Sequence, residues 1–324
     1  MNPIPLPGHV YHAVPGFEDH LIAELHNSRA EKWGPDAEPG ASLFFAPELP
    51  QERIFWHQNC WLEPFRLEFA SISEAAGALR GIQRNWSACL FTLFRRGAHI
   101  AAKLPAISAK PRPFPWEPGD SPVGAWTLLD EHTMIASARC SSPFPGGAVE
   151  FAEDREGPPS RAYLKLWEAL ARFRQWPAPA DLCLDAGASP GGWTWALARL
   201  GAKAIAVDRA PLDERIAALP NVEYVSHDAF TLRPRDIGPI DWLFCDVACY
   251  PPRLYDWIEK WLASGLCRNY VCTIKMQGTV KSGDVDFETP KRFASIPGSE
   301  VVHLCSNKHE LTWMYKLHQP CSIS

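Results

Sequence analysis

The stretch Leu182-Cys183-Leu184-Asp185-Ala186-Gly187-Ala188-Ser189-Pro190-Gly191-Gly192-Trp193-Thr194 decides the fold. An apolar run leads into an acid, then into a glycine-rich turn. The pattern from Trp193 to Leu200 that follows is helical. This reads as strand, tight loop and helix N-terminus. Glycines let a backbone pass close to a ligand with no Cβ in the way, proline removes a donor and stiffens the bend, and a helix N-terminus offers free N–H groups. The dinucleotide fingerprint G-x-G-x-x-G is absent, because the spacing here is G-x-x-x-G-G. Asp208 closes the next β-like run, Ala204-Ile205-Ala206-Val207, and an acid there suits ribose hydroxyls. The local reading is an adenosyl cofactor of unspecified chemistry; a tight βα turn with no ligand is its alternative.

Outward from this stretch, strands are predicted at Leu182–Asp185, Ala204–Asp208, Glu223–Ser226, Trp242–Asp246, Asn269–Lys275, Val301–Cys305 and Thr312–Leu317, with helical runs between most of them. A helix at Arg161–Phe173 precedes the first. Alternating βα units imply an open parallel sheet with helices on both faces. Only Ser306 to Leu311 joins the last two strands, too short for a crossover helix, so that pair must be antiparallel. A Rossmann-like seven-stranded sheet with an antiparallel last strand is the architecture of class I methyltransferases that use S-adenosylmethionine.

The chain has 324 residues, a net charge of −5 and a charged fraction of 21%, values of a soluble globular protein with two domains. No run of eighteen apolar residues suggests a membrane span. The start, Met1-Asn2-Pro3-Ile4-Pro5, lacks the basic and apolar regions of a secretory signal. Ten cysteines occur without a C-x-x-C pair, and Cys183, Cys245 and Cys272 fall in apolar β-like runs. Zinc and disulfides are therefore not expected, and a reducing cytoplasm fits. The acidic net charge argues against a protein that coats nucleic acid at random, but leaves room for a local basic groove.

The first part of the chain reads as a smaller α+β region. Val10–Val14 reads as a strand; Phe17–Leu25, Ser73–Leu79 and Trp86–Arg95 read as helices. A proline-rich segment from Leu104 to Gly124 reads as a linker or extended surface segment. Trp126–Ala138 reads as a hairpin within a connecting region, 126–159. Arg84, Arg95, Arg96, Lys103, Lys110 and Arg112, with Phe114 and Trp116 interleaved, have the composition used on unstacked RNA.

Four ionisable residues lie at the ends of predicted elements: Lys165, Asp246, Lys275 and Glu310. Ligands of open α/β sheets bind outside the carboxyl ends of the strands. With Ser160-Arg161-Ala162-Tyr163-Leu164-Lys165-Leu166, Asp185–Trp193, Leu243-Phe244-Cys245-Asp246, Thr273-Ile274-Lys275 and Lys308-His309-Glu310, the chain closely resembles the FtsJ-type 2′-O-ribose RNA methyltransferases, which carry a K-D-K-E tetrad. In Pro15-Gly16-Phe17-Glu18, Ser142-Pro143-Phe144-Pro145-Gly146-Gly147 and Leu262–Arg268 it further resembles the branch of that family that acts on large-subunit rRNA.

The resemblance implies an FtsJ-type methyltransferase domain over 160–324 and an N-terminal RNA-recognition region, THUMP-like, over 1–125. It implies Lys275 as proton acceptor, Lys165 and Glu310 as residues holding it and the ribose, and Asp246 as the group holding it beside the methyl donor. It assigns S-adenosylmethionine to Ser160, Asp185, Gly187, Ser189, Pro190, Gly191, Gly192, Trp193, Asp208, Asp228 and Asp246, with Asp228 accepting from the adenine amino group or serving as a turn cap. Two lysines in one pocket, partly buried, are expected to lower the pKa of Lys275, with the carboxylates opposing that shift. The expected partner is RNA, with large-subunit rRNA the leading reading and the same chemistry on tRNA or a capped mRNA 5′ end as the alternative. A nicotinamide oxidoreductase conflicts with the missing fingerprint and the antiparallel last strand. An inactive RNA-binding protein conflicts with the intact tetrad.

Overall fold

The computed structural model describes residues 2–34 and 41–317. It divides into two compact units, residues 1–112 with 117–150, and residues 113–116 with 151–324.

The N-terminal unit runs β1 (Ile4–Pro5), β2 (His9–Ala13), α1 (Glu18–Glu24), β3 (Glu31–Trp33), β4 (Leu43–Ala46), β5 (His57–Leu62), β6 (Phe65–Glu68), α2 (Ile72–Ile82), β7 (Trp86–Ala88), α3 (Phe94–Ala101), β8 (Gly124–Leu128), β9 (Thr133–Ser137) and β10 (Arg139–Cys140). Two five-stranded sheets form, ordered β1-β6-β9-β8-β7 and β10-β5-β2-β4-β3. The hairpin expected to connect the domains is instead β8–β9, inside the first sheet and buried throughout. Its side chains alternate between two cores, as a strand dictates. Trp126, Leu128, Met134 and Ala136 pack with residues of α2 and α3, while Ala125 and Ile135 join Val10 and Trp61 of the other sheet.

The helix expected at Trp86–Arg95 is also corrected. Trp86–Ala88 is a strand parallel to β8, and α3 begins only at Phe94. Trp86 donates its indole N–H to the Leu79 carbonyl at 2.9 Å, and a Cβ on Gly124 opposite would lie 2.7 Å from the Trp86 ring. Tertiary packing decides this segment; helical spacing of Trp86, Leu90 and Leu93 does not.

The C-terminal unit runs α4 (Tyr163–Phe173), β11 (Leu182–Ala186), α5 (Gly192–Arg199), β12 (Lys203–Asp208), α6 (Glu214–Ala217), β13 (Val222–Ser226), α7 (Pro234–Ile237), β14 (Ile240–Cys245), α8 (Pro251–Ser264), β15 (Cys267–Lys275), α9 (Glu288–Ala294), β16 (Glu300–Val302) and β17 (Glu310–Lys316). One seven-stranded sheet results, ordered β13-β12-β11-β14-β15-β17-β16. β17 is antiparallel to both neighbours and the other pairings are parallel, as the short last connection requires. Central strands β14 and β15 are covered on both faces and buried along almost their whole length. The strand order reverses between β11 and β14, so the crevice for a ligand opens there.

Between α3 and β8 the chain forms no helix or strand. Residues 113–116 of that segment belong to the C-terminal unit, where the Phe114 ring stacks on Trp167 at 4.9 Å and 9° and meets Phe151 and Trp176 edge-on. Phe114 is thus a packing residue, which removes it from the stacking platforms expected of the basic segment.

Candidate active site

Lys165 lies in the first turn of α4, Asp246 directly follows β14, Lys275 ends β15 and Glu310 opens β17. The β15–β17 register sets Lys275 opposite Glu310. Asp246 is fixed by its own backbone N–H, which donates to the Ala186 carbonyl of β11 at 3.0 Å. The four side chains close a ring of alternating charge. Lys275 Nζ lies 2.6 Å from Asp246 Oδ1 and 2.6 Å from Glu310 Oε2. Lys165 Nζ lies 2.5 Å from Glu310 Oε1 and 3.2 Å from Asp246 Oδ2. Each carboxylate therefore shares its oxygens between both ammonium groups. All four residues singled out at the sequence level come together.

Burial differs around the ring. Lys165 and Glu310 side chains are 7% and 8% exposed, Asp246 is 16% and Lys275 24%. Lys275 is the member a substrate reaches most readily. Burial alone would push the Glu310 carboxyl up, but Lys165 and Lys275 beside it hold it below the usual glutamate value. Burial would push the Lys275 ammonium down, but Asp246 and Glu310 outweigh it and hold Lys275 above the usual lysine value. The expected lowering is therefore corrected: two carboxylates at 2.6 Å dominate over desolvation and a second ammonium.

The glycine-rich loop links β11 to α5. Asp185 at the end of β11 is fully buried; Oδ2 accepts from Thr194 Oγ at 2.6 Å and Oδ1 has no partner. Burial, only partly offset by that hydrogen bond, pushes its carboxyl up to about 7. Gly187 (φ 81°) leaves no space for a side chain, since a Cβ would meet Val247 Cγ2 at 2.7 Å. A Cβ on Gly192 would meet Ser160 Oγ at 2.5 Å. These two glycines draw the loop against the residue after Asp246 and against the residues before α4.

The remaining expected cofactor contacts divide. Asp208 Oδ2 accepts from Ser189 N at 3.1 Å and Oδ1 from Ala210 N at 2.9 Å, so its carboxylate is pinned at the end of β12. Ser189 donates its hydroxyl to the Pro211 carbonyl, and Pro190 accepts from Asp213 N. Trp193 is 3% exposed and donates its indole N–H to the Ala162 carbonyl at 2.9 Å. Its role here is to tie α5 to the start of α4. Asp228 caps a short 3-10 turn by accepting from Phe230 N at 3.0 Å, and its other oxygen lies 3.5 Å from Arg253 Nη2. Ser160 lines a cleft of about 400 Å³ with Asp154, Arg155, Pro159 and Arg161. That volume falls in the range of small-molecule sites. The acids at the ends of β12 and β13 and the glycine loop, where a Cβ on Gly187 or Gly192 would clash, suit a cationic adenosyl cofactor; the cleft beside Ser160 is lined by residues between 153 and 163 and contains neither Asp208 nor Asp228.

Sequence reasoning missed several supporting residues. Thr194 holds Asp185, and Arg253 pairs with Asp228 while its guanidinium lies 4.5 Å over the Phe230 ring. Asn307 donates to the Glu310 carbonyl at 3.2 Å and to Thr312 Oγ at 3.1 Å, shaping the turn into β17. Thr194 falls on the inward side of the helix that the glycine loop opens, a signal that could have found it. Arg253 and Asn307 carry no comparable mark.

A seven-stranded sheet of this order, with a K-D-K-E ring at the edge where its parallel strands end, defines a class I methyltransferase fold. Residues 158–283 match the family model of FtsJ-like methyltransferases. Within that class the similar relatives share one name. Ribosomal RNA large subunit methyltransferase M of Azotobacter vinelandii is 40% identical over 148 residues, covering 44% of this chain and 41% of that protein. The protein of the same name from Azoarcus sp. is 35% identical over 144 residues, covering 43% and 38%. The chain spans about two fifths of the length of the curated relatives it matches. Among solved structures, a putative ribosomal RNA methyltransferase from Plasmodium falciparum aligns with 48% of this chain and 96% of its own, at 17% identity and a TM-score of 0.36.

Proposed function

We propose that this chain methylates a ribose 2′-hydroxyl of RNA, with large-subunit rRNA as the substrate class and S-adenosylmethionine as methyl donor. The observation that carries the reading is the closed Lys165–Asp246–Lys275–Glu310 ring, with Lys275 its most exposed member. The similarity to ribosomal RNA large subunit methyltransferases M and the FtsJ-like match support it. S-adenosylmethionine supplies an electrophilic methyl on a positively charged sulfur.

The chain's own residues do the rest. A ribose hydroxyl is a poor nucleophile until a base takes its proton. Lys275 Nζ is the acceptor within reach; Asp246 and Glu310 hold it directly, and Lys165 braces both carboxylates. At rest the carboxylates keep Lys275 charged. Any cation placed beside Asp246 competes for that carboxylate and eases proton loss from Lys275. Holding hydroxyl and methyl donor in line adds the effect of proximity, about 7–11 kcal/mol in well-oriented systems. The N-terminal unit, which holds none of the tetrad, is the RNA-recognition part in this reading, and the setting is the cytoplasm. Among the described residues no helix is long and apolar enough to cross a membrane.

The test is methyl transfer from labelled S-adenosylmethionine to large-subunit rRNA, followed by mapping of ribose methylation. Wild type should modify a 2′-hydroxyl. Lys275→Ala and Lys275→Arg should not, because a guanidinium stays protonated. Binding of NAD with no binding of S-adenosylmethionine, or methylation on a base, would overturn the reading.

A further inference from the structure

Between Glu74 and Glu117 the chain carries seven Lys or Arg residues and no carboxylate, although its net charge is −5. That stretch contains most of α2 and all of α3, which pack side by side in the N-terminal unit. Arg80 Nη1 donates to the Lys103 carbonyl at 2.8 Å, tying the end of α3 to α2. Arg84, Arg95 and Lys103 are exposed, and no described carboxylate pairs with them. Some exposed arginines elsewhere pair with acids, Arg66 with Glu68, Arg139 with Glu63 and Arg233 with Asp236, while Arg209 and Arg235 stand singly rather than in an acid-free run. From the second turn of α2 to the end of α3 and just beyond, the chain supplies no counterion of its own. Phe94, the first residue of α3, is 56% exposed on the same helix as Arg95.

We propose that the α2–α3 face docks unpaired RNA, with Arg84, Arg95 and Lys103 on phosphates and Phe94 stacked on a base. The inference rests on the RNA reading above and names the surface that the reading leaves open. Arginine and lysine without local counterions attract a polyanion, and bound salt ions are released when phosphates replace them. An exposed aromatic beside them is the arrangement that holds unstacked bases. A duplex would give Phe94 no partner, so the observations favour a single strand.

The experiment uses the full chain and a short fluorescent single-stranded RNA, with the matching duplex for comparison. Three variants are compared: Arg84→Glu/Arg95→Glu/Lys103→Glu, Phe94→Ala, and a charge-matched control, Lys203→Glu/Arg235→Glu/Lys260→Glu, on exposed positions of the C-terminal unit. The α2–α3 triple variant should weaken single-strand binding more than about tenfold and flatten the log–log salt slope by about two. Phe94→Ala should weaken it by about tenfold while leaving duplex binding unchanged. S-adenosylmethionine affinity and melting temperature, measured on every variant, should stay at wild-type values. Equal losses in the control triple variant, unchanged binding in the α2–α3 triple variant, or equal effects of Phe94→Ala on duplex and single strand would overturn the proposal. RNA binding through this face without methyl transfer would sink the catalytic reading alone. Methyl transfer to RNA with an unaffected triple variant would sink the surface alone.

Discussion

In the C-terminal unit Lys165 and Lys275 each meet two carboxylates within 3.3 Å, whereas in the N-terminal unit Arg84, Arg95 and Lys103 are exposed with no described carboxylate partner. The same residue types serve opposite purposes. Balanced and buried, charges fix a geometry, because each side chain is held by two partners and screened little by salt. Unbalanced and exposed, they have no fixed geometry but a large field, suited to a partner that brings its own charge.

The ring is tested hardest at Lys275. Lys275→Ala should lower single-turnover methyl transfer by about 10²–10⁴-fold, the usual range for general-base catalysis, and leave S-adenosylmethionine affinity nearly unchanged. Because Asp246 and Glu310 hold Lys275 above the ordinary lysine value, its neutral fraction at pH 7 is very small. The wild-type rate should then climb about tenfold per pH unit from pH 7 to 9, as expected for a base titrating above that window. A flat profile over this interval would remove Lys275 from the proton transfer.

Glu310 measures what balance contributes to the fold. Glu310→Ala leaves two ammonium groups with one carboxylate, and removal of one partner of a buried ion pair typically costs about 3–5 kcal/mol. The Arg233–Asp236 pair, exposed on both sides and screened by solvent, should contribute far less. Urea midpoints of Glu310→Ala and Asp236→Ala at neutral pH compare the two. The Glu310 carboxyl is held below its usual value, so its stabilisation is present above the unfolded value near 4.3 and is lost as pH falls through the folded value. The gap between wild type and Glu310→Ala should therefore narrow in acid. Equal effects of the two substitutions would mean that the ring is no more than a surface pair.

How much of this was legible in the sequence follows from what each feature depends on. The sheet of the C-terminal unit was readable because its central strands are five residues or longer and separated by helical runs, and because a six-residue connection forbids a crossover. The tetrad was readable because each member ends or opens an element. The direction of the Lys275 shift was not, because it turns on distances of 2.6 Å that no spacing encodes. The N-terminal sheets were not readable either. β7 has three residues, and β8 and β9 are covered on both faces, so neither length nor polar alternation marks them. Phe114 and Phe94 show the same limit. Both lie in basic, acid-free sequence, yet only packing distinguishes the aromatic stacked on Trp167 from the one left in solvent.

That pair gives the next comparison. Phe114→Ala should cost about 2 kcal/mol of stability, less than the 3–5 kcal/mol of a fully buried phenylalanine because the ring is half-buried. It should not change RNA affinity once the folded fraction is matched. Phe94→Ala should do the reverse. Thermal melts alongside anisotropy titrations decide it, and loss of RNA affinity in a stable Phe114→Ala protein would return Phe114 to the recognition surface.

The smallest effect sharpens the contrast inside the C-terminal unit, between the ring, where every carboxylate is paired, and Asp185, where one oxygen is not. Thr194→Val keeps the shape of the side chain but removes the 2.6 Å hydrogen bond to Asp185 Oδ2. A lost hydrogen bond to a buried polar group costs about 1–3 kcal/mol. The sign of its pH dependence follows from the raised carboxyl. Asp185 titrates near 7 when folded and near 3.9 when unfolded, so the folded state binds the extra proton and this group's contribution falls as pH rises through that window. Thr194 favours the ionised form, so its removal raises the folded value further and destabilises most where Asp185 would be charged. The melting-temperature gap between wild type and Thr194→Val should be larger at pH 8 than at pH 5.5. A gap that stays constant, or widens in acid, would show that the threonine does not hold an ionised Asp185.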